Sequence, residues 1–386
     1  MIAARRVYLY LVAFVSLLVA AWGAAELGRA VIDALYPAAG TGSVVATGLR
    51  QDVARNGALL VVGLPVWLLH WTFANRASRT SLAERAATLR RLYLYAVLAS
   101  MVIAIASSAQ NALEAPLRAL LDETSTSAPS LGRQIVTQLP WLVVGALLWV
   151  YHRAVVAADR AAAGEAGGGA TLRRWYVYGV AFVSLIYLLA NLSGTARITW
   201  ETLASAAFGT STPPRGLGGA IATALVALAG WLTHWTLVAV RSGRADRDVL
   251  VAQDARSTLR PVYLFGALAV AVALTLEGLS QLLYYGLGRL LGVESPGGVR
   301  GNLLVAMADP TTSALVYGVA WLFQRRAIAA HGVEPPALPS SAETTETTET
   351  VQSEVAPARI EGVRRLYVYL VSLIAIAVLA AGAGGV

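Results

Sequence analysis

Apolar runs long enough to cross a bilayer recur along this chain, separated by polar stretches that carry most of its charge. An α-helix rises about 1.5 Å per residue, so roughly 20 apolar residues cross a hydrocarbon core. Nine stretches meet that length: Val7–Leu35, Val53–Phe73, Leu92–Leu121, Ile135–Val156, Trp175–Ala204, Gly219–Val240, Val262–Leu291, Leu303–Phe323 and Leu366–Gly382. Several odd-numbered spans run on into an amphipathic, charged extension, which predicts helices that protrude or tilt. The pattern predicts an all-α integral membrane protein of about nine transmembrane helices.

Composition agrees. Of 386 residues, 57% are hydrophobic and 13% charged, with a mean hydropathy of +0.61. A soluble domain carries about 25% charged residues. A water-soluble enzyme with one core is excluded, as is disorder over most of the chain. The net charge is +8 and all 30 basic residues are Arg. They flank the apolar spans instead of forming one basic face, which points to membrane topology and away from nucleic acid. With the helix ends leading into each loop included, 21 of the 30 lie at the N-terminus and in the loops after spans 2, 4, 6 and 8, and nine lie on the other side. Arg resists translocation, so the N-terminus and those loops are expected in the cytoplasm and the segment after span 9 outside. The opening Met1–Arg6, its apolar run and Ala21-Trp22-Gly23-Ala24 also fit a cleaved signal peptide. The same opening recurs at internal helices, which favours a retained first span. With no cysteine, disulfides, thiolate metal sites and Cys nucleophiles are excluded.

The strongest signal is internal repetition. Odd spans open Arg5-Arg6-Val7-Tyr8-Leu9-Tyr10, Arg90-Arg91-Leu92-Tyr93-Leu94-Tyr95, Arg173-Arg174-Trp175-Tyr176-Val177-Tyr178 and Arg364-Arg365-Leu366-Tyr367-Val368-Tyr369, with a degenerate copy at Arg260-Pro261-Val262-Tyr263-Leu264-Phe265. Even spans close Trp67-x-x-His70, Trp149-x-x-His152, Trp231-x-x-His234 and Trp321-x-x-Gln324. The predicted unit is a two-helix hairpin with both ends inside, at 1–80, 81–165, 166–250 and, divergent, 251–332. An even number of helices per unit makes the repeats parallel, unlike the inverted repeats of many transporters. Between 333 and 362, Pro, Thr, Ser and Glu replace the apolar residues. This predicts a disordered acidic linker, either a plain spacer or a tether, before a ninth helix over 363–386.

These paired motifs resemble a bacterial membrane family described only as domain of unknown function 5671. The likeness covers residues 4–332 as four tandem copies and touches 363–386. It implies an integral protein of a bacterial cytoplasmic (inner) membrane and brings no activity, cofactor or catalytic residue.

The candidate chemistry sits on the repeat. Arg5, Arg6, Tyr8, Arg90, Arg91, Tyr93, Arg173, Arg174, Tyr176, Arg364, Arg365 and Tyr367 read as interfacial anchors, Arg meeting lipid phosphate and Tyr lying in the aromatic belt. Recognition of an anionic headgroup is the functional alternative. His70, His152 and His234 share one repeat position, and imidazole ligates metal or haem. None has an acid or second His one turn away, which favours histidines at the interface meeting water and headgroups. Opposite charges recur at the outer ends of odd spans as Arg29/Asp33, Glu114/Arg118 and Arg197/Glu201, each at the i,i+4 spacing of a helical ion pair. Glu277, with Gln281 one turn later, and Asp309 are acids inside or near apolar spans, where ionisable groups are functional by default. Asp309-Pro310 equally fits a helix start near Pro310.

No phosphate loop, His-Glu-x-x-His motif or nucleophile elbow occurs. The expected protein is non-catalytic and without a cofactor, a scaffold or subunit of a membrane assembly with the lipid bilayer as its main partner. A carrier or channel between hairpins is the alternative, and a redox or haem protein using the repeated His a weaker one. Few polar groups occur near the midplane of the spans, which favours the first. Span 9 repeats a hairpin opening without a returning helix. Either the chain continues past Val386, or helix 9 docks against a membrane-protein partner.

Overall fold

A computed structural model of the chain describes residues 3–36, 42–123, 128–207, 215–242, 257, 259–293 and 303–330, and six helical positions between 365 and 376. Among the described residues the fold is all-helical. In chain order the helices are α1 (Ala3–Leu35), α2 (Gly42–Thr80), α3 (Leu82–Arg85), α4 (Thr88–Leu120), α5 (Ala128–Val136), α6 (Leu139–Ala163), α7 (Gly167–Ala207), α8 (Leu217–Ser242), α9 (Leu259–Leu290), α10 (Leu303–Ala306) and α11 (Ala308–Ala330).

Eight helical stretches among the described residues are long and apolar enough to cross a membrane. They coincide with the first eight expected spans. α1 and α4, at 33 residues each, are about 50 Å long and exceed a hydrocarbon core of about 30 Å, as their charged extensions predict. The expected linker at 333–362 lies outside the described residues, as does most of the ninth span. Large apolar side chains such as Val61, Ile103, Leu147 and Val319 stand exposed on the helices, a surface that suits lipid and not water.

The chain falls into two compact units, Met1–Val180 and Ala181–Val386, with the boundary inside α7. In the first, α1 lies along α2 and α4 along α6, and α1 also touches α4, α5 and α6. Its core gathers Leu9, Tyr10, Ala13 and Leu17 of α1, Trp71 and Ala74 of α2, Tyr93 to Met101 of α4 and Val156 of α6. These are the opening turns of odd spans and the closing turns of even ones, so this core sits at the end that carries the repeated motifs. In the second unit α9 lies along α11, and Tyr263, Leu264, Phe265, Ala267 and Leu268 on α9 are buried.

Glycine sets the close approach of α1 and α2. A Cβ on Gly63 of α2 would lie 2.9 Å from the Ala20 nitrogen and 3.1 Å from the Ser16 oxygen of α1, and one on Gly23 would lie 2.7 Å from the Asn56 oxygen of α2. The two backbones therefore touch, the arrangement small residues permit where lipid gives helices no hydrophobic reason to associate.

The connectors are ordered where they serve the core. Ser81 caps α3 by accepting from the Glu84 N–H, a favoured N-terminal residue. Gly164 ends α6 at φ +68, a conformation that favours glycine, and Glu165 follows directly.

Candidate functional site

Trp67 and His70 lie three residues apart on α2, as do Trp149 and His152 on α6 and Trp231 and His234 on α8, so each pair shares a helix face. In all three, histidine Nδ1 lies 2.8 Å from the carbonyl four residues back, that of Val66, Leu148 or Gly230. A carbonyl only accepts, so Nδ1 carries the proton and Nε2 is left as the acceptor.

The tryptophans reach outward. Trp67 Nε1 donates to the Tyr93 hydroxyl at 3.0 Å, Trp149 Nε1 to Tyr176 at 3.2 Å and Trp231 Nε1 to Tyr263 at 3.0 Å. Each link joins an even span to the first Tyr of the next odd span. An indole only donates, so the phenol oxygen accepts and its own proton is free for another group. For Tyr93 that group is His152 Nε2, 3.3 Å away. An unbroken line of donors therefore runs from Trp67 on α2 through Tyr93 on α4 to His152 and the Leu148 carbonyl on α6. In the second unit Gln324 stands at the histidine position and is buried, as is Tyr263.

Two sequence expectations are corrected here. His152 is 0% exposed and His234 is also buried, so these histidines do not meet water or headgroups. The hydroxyl and carbonyl partners of His152 explain why a polar ring is tolerated in that position. His70 is half-buried, its ring edge-on to Tyr8 at 5.7 Å. Arg90, Arg91 and Tyr93 are also buried, so their side chains face protein and not headgroups. Arg90 Nε donates to Asp159 at 2.6 Å, its Nη2 donates to Asn75 Oδ1 at 3.0 Å, and its guanidinium lies 5.2 Å from the centre of the Trp71 ring. Arg91 donates to the carbonyls of Val156 and Gly164 at 3.4 Å and 3.2 Å, which neutralises the C-terminal end of α6.

The remaining openings are mixed. Arg5 and Tyr8 are exposed. Tyr176 is half-buried in its link to Trp149, and Arg174 is half-buried. Arg173 Nε lies 2.9 Å from Glu165, whose carboxylate also faces Arg160 at 3.1 Å and accepts from the Tyr95 hydroxyl at 2.8 Å. Arg6 Nε donates to both Glu84 oxygens at 3.1 Å and 3.0 Å. Arg365 is exposed, and Arg364 and Tyr367 lie outside the described residues.

Sequence reasoning missed Asp159, Glu165 and Glu84, the acids that meet these arginines. The available signal was a carboxylate in each of the first two even-to-odd connections, close before an Arg-Arg pair, which a count of basic residues alone passes over.

Of the acids in apolar context, Glu277 is exposed on α9 and accepts from Gln281. Asp309 lies in the first turn of α11, its side chain 63% exposed and 3.6 Å from Arg197 Nε. Helix α11 begins at Ala308, so Asp309 stands at a helix start and not mid-span. Among the described residues no group of three His, Cys, Asp or Glu is placed to hold a metal ion.

Two outcomes follow. Changing His152 to Gln should be tolerated, because Gln324 fills the same position in the second unit. Changing His152 to Leu should cost about 1–3 kcal/mol by leaving the Tyr93 hydroxyl unpaired, read as the shift in unfolding midpoint in detergent. In the connector, the hydrogen bonds from Arg6 hold the Glu84 carboxyl below its ordinary value of 4.5. A depressed carboxyl stabilises the fold above that ordinary value and loses the effect as pH falls through the lower, folded one. Wild type should therefore lose stability on acidification below about pH 4.5 more steeply than Glu84→Gln, and equal acid limbs would refute the pairing.

Taken together, the apolar helices and their buried polar joints define a multi-pass helical membrane protein. The family model described as Domain of unknown function (DUF5671) matches residues 6–139, 117–199 and 196–323, three overlapping segments consistent with tandem copies, and the chain belongs to that family. No curated protein and no solved structure matches it.

Proposed function

We propose that this is a non-catalytic membrane scaffold or assembly subunit, built from four parallel two-helix hairpins and a ninth helix, in a bacterial inner membrane with its N-terminus in the cytoplasm. The single observation that carries this reading is how the repeated polar residues are used. Trp67, Tyr93, His152, Arg90 and Asp159 bond to one another and to backbone between α2, α4 and α6. Side chains committed in this way build a rigid platform and leave little to bind or transform a substrate. The lengthwise packing of α1 with α2, α4 with α6 and α9 with α11 supports the hairpin as its unit.

The test is isolation of the full chain from its native membrane in mild detergent. The expected result is a stable complex with other membrane proteins and an absorbance spectrum with no band beyond that of Trp and Tyr. A haem or flavin band, or solute uptake by liposomes holding the chain alone, would overturn the reading. For orientation, single cysteines near residues 80, 165, 250 and 345 are expected to react with an impermeant thiol reagent only after the cells are opened. Labelling at residue 345 in intact cells would reverse the proposed topology.

A further inference from the structure

The three Trp–Tyr joints are of two kinds. Beside His70 and His234 stands a second tryptophan, Trp71 or Trp235, whose ring lies 5.0 Å from Tyr93 or 5.1 Å from Tyr263 at nearly the same tilt, 31° and 33°. The tyrosines of this kind open Tyr93-Leu94-Tyr95 and Tyr263-Leu264-Phe265. Beside His152 stands Arg153 instead, its guanidinium 5.0 Å from the centre of the Trp149 ring, and the tyrosine opens Tyr176-Val177-Tyr178. Tyr176 also packs on Tyr95 at 5.7 Å. The fourth even helix, α11, carries Trp321 with Arg325 beside Gln324, and the ninth apolar stretch opens Tyr367-Val368-Tyr369. Both halves of the second kind of joint are therefore present in the chain.

We propose that residues 364–386 dock within the same chain as a capping helix on the second unit, Trp321 donating its indole N–H to the Tyr367 hydroxyl. In this joint Arg325 covers Trp321 as Arg153 covers Trp149, and Phe265 packs on Tyr367 as Tyr95 packs on Tyr176. About 33 residues separate Ala330 from Arg364; a flexible chain of that length would span roughly 30 Å, ample for neighbouring helices about 8–10 Å apart. Tethering also raises the local concentration of this segment above that of any free competitor. The rival occupant is α1 of a second copy, whose Tyr8 is 60% exposed. Its opening reads Tyr8-Leu9-Tyr10, the kind that meets a tryptophan and not Arg325. The joint therefore selects the ninth helix.

Because the chain has no cysteine, a short bis-maleimide reads these contacts directly in membranes holding the full-length protein. The pairs are W321C/Y367C, the reference W149C/Y176C and the rival W321C/Y8C. The expected result is a link in monomer-sized W321C/Y367C, with at least half the reference yield and with 321 and 367 joined in the peptide mass spectrum. A lower yield, a link found only in dimers, or preferential linkage of W321C to Y8C overturns the proposal. Should W321C variants fail to accumulate, R325C/Y367C against R153C/Y176C applies the same criterion with both indoles in place.

Discussion

Alanine at position 90 is expected to destabilise the first unit by about 3–5 kcal/mol, the range for breaking one side of a buried ion pair. Arg90 and Asp159 are 2% and 6% exposed in their side chains and meet at 2.6 Å. Truncating the guanidinium strands a carboxylate beneath protein, where neither water nor headgroups reach it. Asp159→Asn should do comparable damage from the other side, because Arg90 then keeps Asn75 and the Trp71 face but no carboxylate to offset its charge. The double variant Arg90→Met with Asp159→Leu should recover most of the loss, since both costly charges go together and apolar groups of similar volume fill the space. Unfolding midpoints of wild type, Arg90→Met, Asp159→Leu and the double variant in one detergent form a closed cycle. Additive losses in the double variant would show that the pair does not act as a unit.

Valine at Gly63 should be nearly as damaging, by up to about 3 kcal/mol. The new Cβ meets the backbone of Ala20 at 2.9 Å and 3.2 Å, and backbone cannot rotate aside as a flexible side chain can. α1 and α2 must separate, loosening the core that Leu9, Ala13 and Leu17 share with Trp71. Gly57 provides the control, since a Cβ there meets nothing within 4 Å. Gly57→Ala should leave the midpoint unchanged or raise it slightly through helix propensity. A Gly63→Val protein as stable as wild type would remove the close backbone approach from the account of how α1 and α2 associate.

The helices were legible because apolar length is a local property, and eight of them coincide with runs visible by inspection. The repeat positions of Trp, His, Arg and Tyr were equally visible. Their partners were not. Arg90 finds Asp159 across 69 residues, and no spacing rule connects them; read locally, an Arg-Arg-x-Tyr opening at a helix end looks like a headgroup anchor. The outer charges divide the same way. Glu114 with Arg118 and Arg197 with Glu201 pair within their helices as spacing predicts, at 3.6 Å and 2.9 Å. Arg29 instead pairs with Glu26, and Asp33 with Arg133 on α5 at 2.6 Å. The i,i+4 rule sees one helix face and cannot register a nearer cation supplied by another element.

The distance in sequence between Arg90 and Asp159 also imposes an order on biosynthesis. Synthesis proceeds at roughly 5–20 residues per second, so the ribosome adds Asp159 several seconds after Arg90. Until then the Arg90 guanidinium lacks this carboxylate, although α4 itself is complete once Leu120 has been added. Lipid phosphate can neutralise an unpaired Arg at a helix end meanwhile, until α6 arrives with its carboxylate. Arg173 faces no such delay, because Glu165 precedes it and is ready when it emerges. The two pairs are therefore completed in opposite orders, cation before acid at α4 and acid before cation at α7.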